Sequence, residues 1–355
     1  MFMNVVSVVS LLAVALATAL PSHAATPVYR QFQDWVVACD NVARCVVSGA
    51  AEALDGRITV QRDAGPQGAI DVTVVLPTRG GNAPLRLDGK AVALTAPGWA
   101  RTQDGAEWVV RRTRGLADAQ AFVDAVRNGQ SLRFGAGERD AIPLGGLSAA
   151  LLLVDETQGR LGGTTALLRR GAAAAGTVPA AAPLPRVALA PPPRAVLDAA
   201  TQARLIAQVR RGQAALIQRE DCSQHGGDDA FDEAAALDDT RALVLIECLR
   251  GAYQSSSLVF QVPVADPSRA TRVTPTLPFT LPGVRARLDM VTSAAFEDGV
   301  LTHSGRGRGM GDCGSGARWG WTGTTFALLA YEHMGACRGD DAAEWPALWR
   351  TANAP

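Results

Sequence analysis

The sequence predicts two folded parts: an α+β first domain of antiparallel strands with two helices, and a mainly β second domain. Residues 171–196 separate them and are almost all Ala, Pro, Val, Leu and Gly, which is typical of a semi-rigid linker. Short strand patterns and two helical patterns precede this segment, whereas mostly strand patterns follow it. The 355 residues suffice for two domains of roughly 150 residues each. We therefore expect domains at 25–170 and 197–355, joined by a proline-rich linker.

Residues 1–24 have the composition of an export signal. Val5–Leu20 is apolar, and Ser22-His23-Ala24 matches the small-x-small pattern before a cleavage site. One part of the pattern is missing, because no Lys or Arg precedes Arg30. We expect cleavage after Ala24 and a periplasmic or secreted protein that is not inserted in a membrane afterwards.

The cysteines predict disulfide bonds. An even number of cysteines in an exported chain is typical of a disulfide framework. Their order along the chain favours the local pairs Cys39–Cys45, Cys222–Cys248 and Cys313–Cys337, although other pairings are possible in principle. Zinc is the competing interpretation, but the chain has no Cys-x-x-Cys or His-x-x-x-His pair. We predict no metal and no cofactor.

The first domain begins with a predicted hairpin, in which apolar residues alternate on both sides of the Asp40-Asn41 turn. Leu116–Asn128 predicts a helix that buries Ala119, Phe122, Val123 and Val126 on one face. A second helix is predicted from an N-cap at Ser148 to about Gly159. The short strand candidates between these elements are Ile58–Gln61, Ile70–Leu76, Leu85–Leu87, Val92–Leu94, Trp108–Arg111 and Ser131–Phe134.

The second domain is predicted to start with a helix over Asp198–Gly212. An acidic segment follows, in which Asp228, Asp229, Asp232 and Glu233 lack EF-hand spacing, so we expect a solvated loop rather than a calcium site. The predicted strands are Ala242–Cys248, Ser257–Val264, Val284–Val291 and Val300–His303. Trp345 and Trp349 are four residues apart, which predicts one face of a C-terminal helix.

The stretch His303–Phe326 departs furthest from average composition, with eight glycines, three arginines, one cysteine and two tryptophans. Each glycine inside a helix costs about 1 kcal/mol relative to alanine, so Gly305–Gly311 must be a loop. Cys313 is its natural anchor. Trp319, Trp321 and Phe326 then predict a β-hairpin of two antiparallel strands, with its turn at Thr322-Gly323.

This stretch supplies our candidate binding residues. Guanidinium groups suit carboxylate and phosphate, and tryptophan faces suit sugars or cations. The alternative is structural: the tryptophans belong to a core, and the arginines are solvated or pair with an aspartate. The candidates are Arg306, Arg308, Asp312, Arg318, Trp319 and Trp321.

Two enzyme motifs are also present in this stretch. Gly309–Gly314 matches G-x-G-x-x-G, but the strand before it and the helix after it are missing. Gly311-Asp-Cys313-Gly314 is similar to the nucleophile turn of chymotrypsin-like cysteine proteases, with His225 or His303 as base and Asp239 as the orienting group. That chemistry needs a free thiolate, and the even cysteine count argues against one.

A series of motifs, specific in order and spacing, covers nearly the whole chain after the expected signal. They are Phe32-x-x-Trp35-x-Val-x-Cys39-Asp-Asn, Arg62-Asp-Ala-Gly65-Pro, Leu144-x-Gly-Leu-Ser-Ala-Ala-Leu151, Asp155-Glu-x-Gln158-Gly-Arg160, Gly251-Ala-Tyr-Gln254, Gly305-Arg-Gly-x-Gly-x-Gly-Asp-Cys313-Gly, Trp319-x-Trp, Cys337-Arg-Gly and Trp345-Pro-x-Leu-Trp349-Arg. These motifs resemble those of the bacterial exported domain-of-unknown-function family 1176. The resemblance implies no activity, since that family has none assigned. Where the family usually has Trp-x-Trp-Asp-Gly, this chain has Trp319-Gly-Trp321-Thr-Gly323. The Trp…Cys…Cys opening of the first domain also resembles that of invasion-associated locus B proteins.

The net charge of zero and the pI of 6.9 argue against nucleic acid as a partner, because that affinity needs an excess of basic groups. We expect an exported, non-enzymatic protein that binds an envelope protein or glycan, in a recognition or inhibitor-like role, through the Gly/Arg-rich loop. One alternative is a hydrolase of envelope polymer or peptide that uses Cys313, Asp312 or His303. The other is a structural accessory that bridges envelope partners.

Overall fold

The structure is a computed structural model that describes residues 25–52, 54–78, 85–92, 98–137, 139–194, 196–222 and 231–353. These residues form four β-sheets and four short α-helices. None of the helices among them is both long and apolar enough to cross a membrane. The expected export signal at 1–24 lies outside the described residues, as do His225, Asp228 and Asp229.

The first sheet has seven antiparallel strands in the order β1-β2-β3-β4-β5-β9-β8. The predicted hairpin at its start is confirmed, because β2 and β3 pair from Trp35↔Gly49 to Cys39↔Cys45. The strands are β1 (Val28–Phe32), β2 (Trp35–Cys39), β3 (Cys45–Ala50), β4 (Arg57–Arg62), β5 (Ile70–Pro77), β8 (Trp99–Asp104) and β9 (Trp108–Thr113).

A smaller sheet and two helices cover one face of the first sheet. The small sheet has the order β11-β10-β6-β7. Helix α1 (Leu116–Val126) buries the four predicted residues of its apolar face. Helix α2 (Leu147–Thr157) begins one residue before the predicted N-cap and follows Gly146, whose φ is 96°. The small sheet consists of β6 (Leu85–Leu87), β7 (Lys90–Val92), β10 (Ser131–Arg133) and β11 (Ala141–Pro143).

The C-terminal half contains two further sheets. In the third sheet the order is β12-β13-β14-β15, with β16 also paired to β14, and in the fourth it is β17-β18-β19-β20-β21. Helix α3 (Ala199–Gly212) packs on the third sheet and is followed by α4 (Ala214–Arg219). The strands are β12 (Glu233–Ala236), β13 (Arg241–Arg250), β14 (Ser255–Pro263), β15 (Thr271–Val273), β16 (Val291–Thr292), β17 (Ala295–Glu297), β18 (Val300–Arg306), β19 (Gly314–Trp321), β20 (Phe326–Met334) and β21 (Ala347–Arg350).

The predicted fold class, an α+β first domain and a separate mainly β second domain, is wrong. The chain is mostly β-sheet throughout, and its halves share cores. Val36 packs with Met334 and Trp345. Ala38, on the same side of β2, belongs to the cluster of the C-terminal sheets. Every residue of β2 is buried, because one face meets the N-terminal core and the other meets the C-terminal half.

Residues 171–194, the described part of the predicted linker, contain one short 3₁₀ turn at Ala175–Thr177 and otherwise irregular backbone. Their hydrogen bonds run to both halves. At the start of the segment, the Ala173 N–H donates to the Gly162 carbonyl at 3.1 Å. Further along, the Ala190 N–H donates to the Trp321 carbonyl, and the Ala352 N–H donates to the Pro185 carbonyl, both at 2.8 Å. The domain boundaries and the role of this segment as a linker stay predictions.

Two smaller predictions in the C-terminal half are also wrong. Trp345 follows a 3₁₀ turn and Trp349 lies in β21, because Pro346 lacks the N–H that a helix needs. Val284–Val291 is not a strand, since only β16 and isolated bridges occur there. The predicted helix at Asp198 is confirmed, with the Asp198 carboxylate accepting a hydrogen bond from the Thr201 N–H at 2.7 Å.

The three disulfides connect Cys39 to Cys45, Cys222 to Cys248 and Cys313 to Cys337. The predicted local pairing is confirmed, and no cysteine among the described residues is free.

Candidate functional site

The Gly/Arg-rich loop joins β18 to β19 as a tight antiparallel connection. Its ends are paired, because the Gly307 N–H donates to the Cys313 carbonyl at 2.7 Å. Gly314 has a φ of 146°, and a Cβ on it would lie 2.0 Å from the Gly305 carbonyl oxygen. A side chain is therefore excluded there by the close approach of the two strands.

Asp312 ties the loop to the chain after β20. It accepts hydrogen bonds from Arg308 Nε at 2.7 Å, from Arg308 Nη2 at 2.5 Å and from the Gly339 N–H at 2.8 Å. The Arg308 guanidinium holds the pKa of Asp312 down to about 2, well below its usual range. The disulfide from Cys313 to Cys337 joins the same two segments. Asp312 is thus an ionised anchor of the loop.

A second anchor comes from the turn between β13 and β14. The Gln254 side-chain amide accepts a hydrogen bond from the Arg306 N–H at 2.8 Å and donates one to the Arg306 carbonyl at 3.2 Å. The backbone is therefore fixed, while the Arg306 guanidinium makes no hydrogen bond or ion pair with the described residues. The Tyr253 ring lies against Gly309, and Tyr253 and Met310 have 73% and 67% of their surface exposed. We call Tyr253, Arg306, Gly309 and Met310 the Gly/Arg surface.

The structure brings some of the predicted residues together and separates others. Arg306, Arg308 and Asp312 lie at the loop. Trp319 and Trp321 are buried in the core of the two C-terminal sheets, and Trp319 Nε1 donates to the Thr276 carbonyl at 2.9 Å. Arg318 lies along the sheet, 3.6 Å from the Glu332 carboxylate. The two tryptophan rings are therefore not offered to solvent, in keeping with the structural alternative.

Next to the loop, a cleft of about 530 Å³ opens between the third and fourth sheets. The Thr292 N–H donates to His303 Nδ1 at 3.1 Å, so Nδ1 carries no proton and Nε2 is the protonated nitrogen. Nε2 lies 3.1 Å from Ser315 Oγ and donates to it. Ser315 also interacts with the Tyr331 side chain and partly opposes the rise that burial causes in the pKa of Tyr331. Burial lowers the pKa of His303 to about 4, so the ring is neutral at pH 7.

These contacts argue against the hydrolase alternative. Cys313 is bonded to Cys337 and has no thiolate, and Asp312 is held by Arg308. His303 cannot take a proton from Ser315, because its one unprotonated nitrogen already accepts the Thr292 N–H. A Ser–His pair that works as nucleophile and base needs the opposite tautomer.

A second cavity, of about 470 Å³, lies where the two halves meet. Arg57 from β4 donates to the Glu344 carboxylate at 2.5 Å and to the Gly339 carbonyl at 2.6 Å. Its Nε also lies 3.2 Å from Asp340. Burial raises the pKa of Asp340 to about 6, and the nearby Arg57 opposes this rise only in part. These charged groups connect the halves.

Sequence reasoning named His303 only as a possible catalytic base and missed Tyr253, Ser315, Tyr331 and Gln254. Tyr253 and Gln254 belong to the motif Gly251-Ala-Tyr-Gln254, which is part of the family resemblance. That motif is the sequence signal from which these two residues could have been identified. Ser315 and Tyr331 join the site through the register of β19 and β20, where Ser315 pairs with His333 and Ala317 with Tyr331. No local sequence pattern predicts that register.

Comparison with known proteins identifies the family. The family model described as "Protein of unknown function (DUF1176)" matches residues 29–352. The "Uncharacterized protein YpfG" of Escherichia coli (strain K12) is 30% identical over 348 residues, covering 92% of this chain and 94% of YpfG. No solved structure matches the chain, and the resemblance to invasion-associated locus B proteins is not shown. The chain therefore belongs to the DUF1176 family of proteins of unknown function.

Proposed function

We propose that this is an exported recognition protein that binds an acidic segment of an envelope protein through the Gly/Arg surface, without catalysing a reaction. One observation carries the proposal: a loop backbone held by hydrogen bonds presents exposed Arg306 and Met310, and exposed Tyr253 lies against Gly309 of the same loop. Arg, Tyr and Met are enriched at protein interfaces. A surface that is fixed before binding also loses less conformational entropy when it binds.

The charge of the surface indicates the partner. Arg308 is already neutralised by Asp312, whereas the Arg306 guanidinium has no carboxylate partner among the described residues. A carboxylate of the partner would supply the two oxygens that a guanidinium fork prefers. We therefore favour an acidic protein segment over a neutral glycan at this surface.

The export of the protein is supported by its cysteines. Three disulfides persist in oxidising compartments such as the periplasm and are rare in the cytosol. The composition of residues 1–24 agrees with this location. A bridging accessory with independent domains is less favoured, because Val36 and Ala38 pack into the C-terminal half.

Photo-crosslinking in the exporting cell tests this function. A benzophenone amino acid is placed at Met310, at Tyr253 and, as the control, at Val196, which is 91% exposed and distant in sequence. The proposal expects a discrete protein adduct from Met310 and Tyr253 that is absent from Val196. The same adducts from all three positions, or none, would reject a specific recognition surface.

A further inference from the structure

The cleft beside the Gly/Arg surface has a floor of hydrogen-bonding side chains that its own residues only partly satisfy. We call it the His303 cleft and define it by Thr292, His303, Ser315, Tyr331 and His333. His333 Nδ1 is buried without a hydrogen bond of ordinary distance and angle among the described residues, although the ring interacts with the backbone of Gly314. The hydroxyl of Tyr331 lies close enough to Ser315 for the two side chains to interact. Buried polar groups usually have partners, so these atoms favour a ligand or ordered water in the cleft.

The floor of the cleft carries no charge near neutral pH. Burial lowers the pKa of His303 to about 4 and lowers that of His333 as well. Burial also raises the pKa of Tyr331 to about 12. Ser256 Oγ and Thr292 Oγ1 lie 2.9 Å apart and add two neutral hydroxyls at the side of the cleft. A charged ligand group on this floor would be desolvated without a countercharge.

The charged residues of the cleft are at its rim and are mostly paired. Glu220 accepts a hydrogen bond from Arg272 at 2.8 Å, and Asp289 lies 3.2 Å from Arg287. Arg285 is the lining residue with an exposed cation and no ion-pair partner among the described residues. The walls between floor and rim are aliphatic and include Val284, Leu288 and Met290.

We propose that the His303 cleft binds a neutral sugar unit. Each sugar hydroxyl donates and accepts hydrogen bonds, as do the hydroxyls of Ser315 and Tyr331. Its C–H faces suit the aliphatic walls. The cleft volume of about 530 Å³ lies within the range of roughly 300–1,000 Å³ that small-ligand sites occupy. The site is additional to the Gly/Arg surface and independent of the partner that binds there.

Saturation-transfer NMR on the full exported chain tests the proposal, with glucose, N-acetylglucosamine and glucuronate as probes. We expect saturable binding of at least one neutral sugar. Ser315→Ala should weaken it by about 2- to 10-fold, the range of one lost hydrogen bond. The matched control is Ser304→Ala, since Ser304 is exposed on the other face of β18 and should leave binding unchanged.

A blocking variant covers the case in which Ser315→Ala perturbs folding. Leu288→Trp fills the cleft from its wall and should abolish the signal, whereas Leu161→Trp, at a position 42% exposed elsewhere, should not. Absence of saturable binding to the wild type, or unchanged binding in Leu288→Trp, overturns the proposal. Tighter binding of glucuronate that is lost in Arg285→Ala would overturn the neutral assignment. Arg306→Glu should leave sugar binding intact, which separates this site from the proposed protein surface.

Discussion

The side-chain amide of Asn41 forms two hydrogen bonds with the backbone of Arg350. Asn41 Nδ2 donates to the Arg350 carbonyl at 3.0 Å, and the Arg350 N–H donates to Asn41 Oδ1 at 2.8 Å. The carboxylate of Asp40, the residue before Asn41, accepts a hydrogen bond from Arg350 Nε at 2.5 Å. The turn of the first disulfide-closed hairpin is thereby fastened to the last strand, which joins the two ends of the described chain.

Asn41→Ala should lower the free energy of unfolding by about 2–4 kcal/mol. Asn41 is fully buried, and its loss leaves a buried N–H and a carbonyl of Arg350 without partners, each costing roughly 1–3 kcal/mol. Urea unfolding measures the change. Asn128→Ala, at an exposed asparagine, is the control and should change stability by less than about 0.5 kcal/mol. Equal effects of the two substitutions would show that the Asn41–Arg350 contact does not stabilise the fold.

Gly314→Ala should destabilise the protein strongly and disturb the Gly/Arg surface. The added Cβ would meet the Gly305 carbonyl at 2.0 Å and the Trp345 ring at 2.8 Å, so β18 and β19 must separate. Overpacking of this kind typically costs about 1–3 kcal/mol, and the positive φ adds strain. Gly212→Ala is the matched control in thermal unfolding, because its added Cβ has no described residue within 4 Å outside its own helix turn. A Gly314→Ala protein as stable as the control would contradict the close strand approach.

His303 should make the protein less stable in acid. Its pKa falls from 6.5 to about 4 on folding, so the folded state binds fewer protons than the unfolded state between these values. The free energy of unfolding therefore decreases as the pH falls through this window. The full shift corresponds to about 3 kcal/mol, since each pKa unit is worth about 1.4 kcal/mol.

A matched comparison isolates the contribution of His303. Asp340 acts in the opposite direction, because burial raises its pKa to about 6 and the folded state then binds more protons below that pH. Urea unfolding of the wild type and of His303→Asn at several pH values cancels the Asp340 contribution. The stability of the wild type relative to the variant should fall between about pH 6.5 and 4. A difference that does not change with pH would exclude a buried neutral histidine.

Local structure was accessible from the sequence wherever a few consecutive residues determine it. The hairpin around Asp40-Asn41, the apolar face of α1 and the Cys39–Cys45 disulfide depend on short-range spacing. The other two disulfides span 26 and 24 residues, and they were predicted from the order of the cysteines along the chain. The glycines of the loop also predicted an irregular connection, and the structure has it between β18 and β19.

The fold class was less accessible because it depends on which faces of β2 are covered. Trp35-Val-Val-Ala-Cys39 is an uninterrupted apolar run, and such runs indicate a strand buried on both faces. Interpreted in that way, the run predicts that a second layer covers the other face of the N-terminal sheet. Met334 and Trp345 belong to that layer. The His303 cleft lacked any such signal, because its residues come from separate strands whose register only the folded chain defines.

The most direct test of the recognition function is a charge reversal at Arg306, read out by crosslinking from Met310. Arg306→Glu keeps the loop backbone, since Gln254 bonds only the main chain of this residue, but it repels an acidic partner. We predict a loss of the adduct of about tenfold or more. Arg211→Glu, at an exposed arginine of α3, should leave the adduct unchanged. An adduct that survives Arg306→Glu at wild-type yield would contradict recognition through the Gly/Arg surface.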